Sequence, residues 1–224
     1  MKVDLIQSMG SDETVARSAR VSTGKDLLDQ GKIEGLINYL VREGHLSTLE
    51  HCVLTFRFEV PIFVHRQIMT HRTLSKNSES GRYTELLPHF YVPDENRPLV
   101  NRGTSSSPDL VHSDDNSLYE SVEYRHEYSS WVGWSLYSEL LEEGVAKEVA
   151  RNVLPLNTYT SMWATANLLG WFNFLSLRSG YLGHPQYEVQ EVAKGVEAHI
   201  KDLYPLTYEA WRKTMPQEMT EDRV

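Results

Sequence analysis

The sequence predicts an α+β fold, with a central antiparallel or mixed sheet flanked by helices and a helix-rich second half. Three patterns lead there. Across residues 49–60, Val53, Thr55, Arg57 and Glu59 alternate with Leu54, Phe56, Phe58 and Val60, the period-two signature of a strand. Across residues 26–43, Leu28, Leu36, Ile37, Leu40 and Val41 recur at helical spacing, and Gly44 suits the stop. From residue 117 onward the patterns read as helix.

The remaining elements follow in chain order. Residues 2–7 alternate weakly and suit an edge strand, and Ser11 and Asp12 cap a short helix through Arg20. After the strand of 49–60, Pro61 opens a helix running to about His71. Residues 73–82 are a polar loop, followed by a short strand near Phe90. Residues 94–116 form a polar excursion with Pro, Gly and three consecutive serines. Helices are expected over 117–143, 145–153, 159–177 and 185–203, with a shorter one near the end. No internal repeat interrupts this order, so residues 1–224 read as a single domain.

Bulk composition narrows the function classes. Hydrophobic residues make up 40% and charged residues 24%, as in a soluble globular protein. Apolar stretches break within about ten residues, short of the roughly 20 needed to span a bilayer, and the early acid Asp4 does not suit a signal peptide. One cysteine, Cys52, excludes an internal disulfide or a multi-cysteine metal site. These points favour a reducing, cytoplasmic setting and no membrane partner. The net charge of −9 argues against nucleic acid, whose binding needs many neutralised phosphates. A small phosphorylated ligand needs only a local cluster of arginines.

Such a cluster begins at Arg66-Gln67-Ile68-Met69-Thr70-His71-Arg72 and continues through Ser75, Asn77, Ser80, Arg82 and Tyr83. On a helix from Pro61, Arg66 would share a face with Thr70, and Gln67 with His71. Arg66, Arg72 and Arg82 cannot all be buried cheaply without anionic partners. A guanidinium presents forked donors that fit a phosphate or a pyrimidine carbonyl edge. Ser80-Gly81-Arg82 adds a hydroxyl, a glycine permitting close backbone approach, and a cation, a set that suits a phosphate monoester. Any one of these residues alone reads more readily as solvated surface; the ordered set does not.

That set, His-Arg-x-x-Ser-x-Asn-x-x-Ser-x-Arg-Tyr from His71 to Tyr83, resembles the signature of the flavin-dependent thymidylate synthases. Further blocks resemble the same family: Glu50-His51 and Pro61-Ile62-Phe63-Val64 before the signature, Glu148-Val149-Ala150-Arg151 with Val153-Leu154-Pro155-Leu156-Asn157 after it, then Asn167, Asn173-Phe174-Leu175 and Leu177-Arg178. The resemblance implies a thymidylate synthase-complementing fold, conversion of dUMP to dTMP, FAD as hydride carrier, NADPH as reductant and 5,10-methylenetetrahydrofolate as carbon donor. It implies that Gln67, Ser80, Gly81, Arg82 and Arg151 hold dUMP, with the phosphate mainly on Ser80 and Arg82. Arg178 would also bind dUMP, lying against the pyrimidine ring, and would be catalytic, polarising it for attack at C6. His51, His71, Arg72, Asn167, Asn173 and His184 would line the FAD site. It also implies a homotetramer with active sites shared between subunits, and no metal.

The residues themselves agree in two further respects. No Gly-x-Gly-x-x-Gly follows a strand, so FAD would not be held in a Rossmann manner. Cys52 sits among Val53 and Leu54 without a cysteine-specific motif, so it reads as buried packing, whereas a conventional thymidylate synthase adds a thiolate to the ring. Ser80 has no His-Asp partners and reads as a ligand. Asn167 and Asn173 lie among apolar neighbours where amides need partners, which a flavin would supply; Trp171 and Phe172 read as packing. Arg151 alone would also suit a helix-surface pair with Glu148 or Glu143.

Departures from the family pattern are specific. Thr70 stands where an arginine is usual, Ser78 where an acid follows the motif asparagine, and Leu169 where an arginine is usual. The segment 179–185 is longer than usual, which touches the match of His184. Losing two cations implies a weaker hold on an anionic cofactor, with Arg66 or Lys76 as compensating groups. Two other readings compete: a nucleotide hydrolase using Glu50 with His51 or His71, against which no paired carboxylates or His-Glu-x-x-His appear, and a catalytically degenerate nucleotide- or flavin-binding relative.

Overall fold

The computed structural model describes residues 1–24, 30–105 and 107–216. The sheet has four strands in the order β1-β2-β6-β3: β1 (Lys2–Met9), β2 (Val53–Pro61), β3 (Ser75–Ser78) and β6 (Tyr159–Asn167). A second, two-stranded sheet pairs β4 (Val100–Asn101) with β5 (Leu110–Val111). The α-helices are α1 (Asp12–Arg20), α2 (Ile33–Arg42), α3 (Ile62–Met69), α4 (Asn116–Glu142), α5 (Lys147–Ala150), α6 (Leu168–Arg178), α7 (Tyr187–Leu203) and α8 (Pro205–Arg212). The α+β class and the edge position of β1 agree with the sequence patterns. The start of the helix expected over 26–43 lies outside the described residues at 25–29; from Gln30 a short 3-10 turn leads into α2.

Burial explains why β2 forms. Leu54, Phe56, Phe58 and Val60 are fully buried, while the residues alternating with them are half-exposed. β6 corrects the helix expected over 159–177. Its first nine residues form a strand, because Thr160, Met162, Ala164 and Ala166 are buried in alternation, and only then does α6 begin. Ile62 N donates to Thr158 O at 2.9 Å, and the Thr55 and Thr165 hydroxyls meet at 2.9 Å. As residue numbers rise on β2 they fall on β6, so the pair is antiparallel.

Other corrections are local. The polar loop expected over 73–82 contains β3, an outer strand where polar side chains cost little. Pro61 ends β2 instead of opening a helix. The strand near Phe90 is a single antiparallel bridge to Thr158. The excursion carries the β4–β5 hairpin, whose Asn101 Oδ1 accepts from Gly103 N and Asp109 N at 2.9 and 3.0 Å; Ser106 lies outside the described residues. The helix expected over 145–153 is the short α5 followed by a 3-10 turn at Arg151–Val153.

The chain divides into two compact units. The first comprises Met1–Phe58, Met69–Asn77 and Trp163–Val224. In its core, Trp171 Nε1 donates to Leu54 O at 3.1 Å, Phe56 meets Trp171 edge-on, and Phe172 stacks on Trp211 at 4.5 Å. The second comprises Glu59–Ile68 and Ser78–Met162. There α4 buries Ser130, Gly133 and Tyr137, and the Tyr137 hydroxyl accepts from Leu86 N at 3.2 Å. A Cβ at Gly133 would lie 3.0 Å from Pro155 Cδ and 3.1 Å from Val153 O, so a larger residue here would have to push these neighbours back by a few tenths of an ångström. Among the described residues no helix is long and apolar enough to cross a membrane.

Cys52 is fully buried just before β2, its thiol directed at Ser11 O at 3.8 Å. Burial pushes the thiol up to about 11, and the nearby Asp12 carboxylate adds to this. At neutral pH it is a protonated packing group, not a nucleophile. Cys52→Ala is therefore expected to cost about 1 kcal/mol of stability while retaining most turnover. A loss of turnover beyond tenfold in a variant that melts normally would reject this.

Candidate active site

In the first unit, one group forms around the end of α6. Arg178 is the last residue of that helix. Its Nε donates to His71 Nε2 at 3.0 Å, and its Nη2 donates to Thr70 Oγ1 at 3.0 Å. The His71 ring is buried edge-on against Phe174, with centroids 4.9 Å apart. Accepting at Nε2 places the His71 proton on Nδ1. The Lys76 ammonium donates to the carbonyls of Met69 and His71. It thereby satisfies peptide groups at the end of α3 and is not a loose cation available to replace one missing at position 70.

These neighbours set the charge state. Burial, then the cations of Arg178 and Lys76, hold the His71 imidazole down at about 4 from an ordinary 6.5. Burial also lowers the Arg178 guanidinium and the Lys76 ammonium from their ordinary values. For His71 the unfolded chain binds the proton more readily than the folded one. This contribution to stability is full above about 6.5 and is lost as pH falls towards about 4. At most it amounts to on the order of 3 kcal/mol. Urea midpoints at about pH 7 and about pH 5 are expected to differ less in His71→Gln than in the parent. Equal differences would reject a buried neutral imidazole.

The expected helix through His71 ends two residues earlier, at Met69, so Thr70 and His71 leave its register. Arg66 and Arg72 are exposed and Gln67 is half-buried. Asn167 caps α6, its Oδ1 accepting from Gly170 N at 2.8 Å. A helical pattern running through 159–177 hides this backbone role, which depends on the helix starting at Leu168. Asn173 is exposed on α6, and Leu169 is half-buried. His51 is exposed at the end of a 3-10 turn, and His184 is exposed in the segment joining α6 to α7. That segment is pinned at Tyr181, whose hydroxyl donates to Glu197 Oε1 at 2.5 Å, with the Arg212 guanidinium 4.2 Å over its ring. Glu197 Oε1 also accepts from the Tyr208 hydroxyl at 2.9 Å.

In the second unit, the turn at Ser80 forms the other group. Tyr83 N and Thr84 N both donate to Ser80 O at 3.0 Å. Gly81 is buried; a Cβ there would lie 3.2 Å from Arg151 Cδ, so the missing side chain lets the Arg151 stem pack beside the turn. Arg82 Nε donates to Glu148 Oε2 at 2.7 Å, both side chains being about half exposed. Lys147 Nζ approaches Tyr83 O and Glu85 Oε1, each at 3.4 Å. Ser80, Gly81 and Arg82 thus share one turn, with the Arg151 stem beside Gly81. The partner of Glu148 is Arg82, not Arg151 on its own helix. The Ser78 hydroxyl, standing at the usual acidic position, meets a ring nitrogen of His65 at 2.7 Å.

The sequence patterns do not show two contacts: that of Thr70 with Arg178 and that of Glu148 with Arg82. Both join residues far apart in the chain, and only the unusual threonine at position 70 gave a signal. A cleft of about 780 Å³ in the second unit is lined by residues including Asp94, Glu95, His112, Glu120 and Glu123. It contains none of the candidate residues, and its carboxylates have the wrong sign for a phosphate.

A family model described as thymidylate synthase complementing protein matches residues 4–206. The chain belongs to that family. Family relatives named flavin-dependent thymidylate synthase include one from Tropheryma whipplei (strain TW08/27), 40% identical across 94% of this chain and 92% of its own. Another, from Thermotoga neapolitana, is 41% identical across 94% of this chain and 90% of its own. Among solved structures, the UMP/dUMP methylase PolB from Streptomyces cacaoi bound with 5-Br UMP superposes with a TM-score of 0.89 at 39% identity, covering 95% of this chain and 94% of that one. Its complex with 5-Br dUMP gives 0.86 at 38%, with the same coverage.

For a member of a family whose relatives are named flavin-dependent, the donor set can be tested against a flavin. Arg72, His51, His184 and Asn173 present a cation, two imidazoles and an amide to solvent, and His71 and Asn167 add a neutral ring and a capping amide. This chemistry fits a diphosphate, ribityl hydroxyls and a ring edge.

Proposed function

We propose that the protein is a flavin-dependent thymidylate synthase, converting dUMP to dTMP with 5,10-methylenetetrahydrofolate as carbon donor and NADPH as reductant. The observation that carries the reading is the Arg178 guanidinium, held at the end of α6 by Thr70 and His71. Ser80, the Gly81 backbone and Arg82 take the phosphate, assisted by Arg151, and Gln67 contacts the nucleotide. Arg178 lies against the pyrimidine and stabilises charge on its carbonyl oxygen as C6 is attacked. The ring is activated without a thiolate, consistent with a Cys52 thiol that stays protonated. FAD, held by His51, His71, Arg72, Asn167, Asn173 and His184, supplies the hydride chemistry when bound.

The active form is a homotetramer with shared sites. Its support is an apolar stripe on α4, where Tyr124, Tyr128, Trp131, Val132 and Leu136 are each more than 40% exposed along one helical face. A free cysteine fits a cytoplasmic setting. Acceptance of UMP beside dUMP is a second reading, favoured by the likeness to PolB at an identity close to that of the thymidylate synthase relatives.

The test is the visible spectrum of the purified protein, then its anaerobic reduction by NADPH with dUMP or UMP, and product analysis after adding methylenetetrahydrofolate. The visible absorbance of an oxidised flavin, bleached faster with nucleotide, followed by dTMP, supports the reading. A protein that takes up no FAD leaves the degenerate nucleotide-binding relative as the better account. Methylated UMP would establish the broader substrate range.

A further inference from the structure

Two different corners of the Arg178 guanidinium fork meet acceptors. The Nε corner meets His71 Nε2 and the Nη2 corner meets Thr70 Oγ1, both at 3.0 Å. One hydrogen bond leaves a long side chain free to swing about it; two at separate corners fix both the position and the plane of the group. The two acceptors are adjacent in the chain, and the His71 ring is itself wedged against Phe174 of the same helix as Arg178. The Lys76 ammonium also donates to the His71 carbonyl. Both of these acceptors are uncharged, so they orient the guanidinium without themselves neutralising it.

We propose that Thr70 is a positioning residue for Arg178: its hydroxyl, with the His71 imidazole, sets the guanidinium plane for the reaction. The proposal rests on reading Arg178 as the group that polarises the pyrimidine. In this chain an apolar side chain at position 70 would release the Nη2 corner of Arg178. Thr70 is exposed, so substitutions there do not disturb a core.

The experiment uses flavin-loaded enzyme and compares Thr70→Val, Thr70→Ser, Arg178→Lys and the double variant Thr70→Val/Arg178→Lys, with melting curves for each. Thr70→Val is expected to lower kcat about tenfold, as for one lost orienting hydrogen bond, with KM for dUMP within about threefold. Thr70→Ser should recover most of kcat. If Thr70 acts through Arg178, the double variant is no slower than Arg178→Lys alone. Multiplicative losses, an effect confined to KM, or equal losses in the Val and Ser variants would overturn the proposal. Unchanged kcat in Arg178→Lys and also in Arg178→Ala would instead remove the underlying reading of Arg178. Should Thr70→Val melt early, Thr70→Ala supplies the same deletion.

Discussion

Arg178→Ala is expected to lower kcat for dTMP formation by about 10² to 10³-fold, with a far smaller change in KM for dUMP. The size follows from preorganisation. A guanidinium held by two acceptors needs no rearrangement when charge develops on the pyrimidine, and burial lowers its affinity for its own proton without approaching neutrality at ordinary pH. Removing it takes away an interaction that strengthens in the transition state, which acts on kcat and kcat/KM together. The variant also leaves His71 Nε2 without this donor, at a stability cost of roughly 1 to 3 kcal/mol. Melting curves and flavin content should therefore accompany the kinetics. A variant that holds flavin, melts near the parent and shows raised KM at unchanged kcat would demote Arg178 from catalysis to binding.

The second large effect concerns the phosphate. Arg82→Ala is expected to raise KM for dUMP by about 10 to 100-fold, the loss of a charge-assisted hydrogen bond, with kcat changed less. In the structure Arg82 is engaged by Glu148, but both side chains are about half exposed and such a pair is worth roughly 0 to 1 kcal/mol. On the proposed role of Arg82, a phosphate dianion would displace the carboxylate at little cost. Deoxyuridine provides the control, since without a phosphate it should be handled equally poorly by parent and variant. Equal losses with both substrates would show that Arg82 serves the fold of the turn and not the phosphate.

Much of this site was legible as spacing. The run from His71 to Tyr83 placed Ser80, Gly81 and Arg82 in one short turn, and the structure keeps them there with Arg151 beside Gly81. The secondary structure around the site was less legible, for physical reasons. Residues 159–167 form a strand because a neighbouring strand is there to pair with, although the sequence runs into a strongly helical segment without a break. Sequence pattern alone puts Asn167 within an apolar helix. It is instead the cap, and that role became visible only with the true boundary between β6 and α6.

The sequence by itself determined which chemical groups the protein has. It supplied the arginines, the Ser80-Gly81-Arg82 turn, a lone cysteine without nucleophilic surroundings, and alternation that made β2 a strand. These depend on residues close together in the chain, where spacing and local propensity decide. Tertiary structure decided how the groups are held and charged. The His71 imidazole is neutral because folding buries it beside Arg178 and Lys76. Thr70 became a hydroxyl acceptor for a guanidinium more than one hundred residues away, and Arg82 found Glu148 across a separation of 66 residues. Burial and long-range hydrogen bonds exist only once the chain has closed on itself, so no local pattern encodes them.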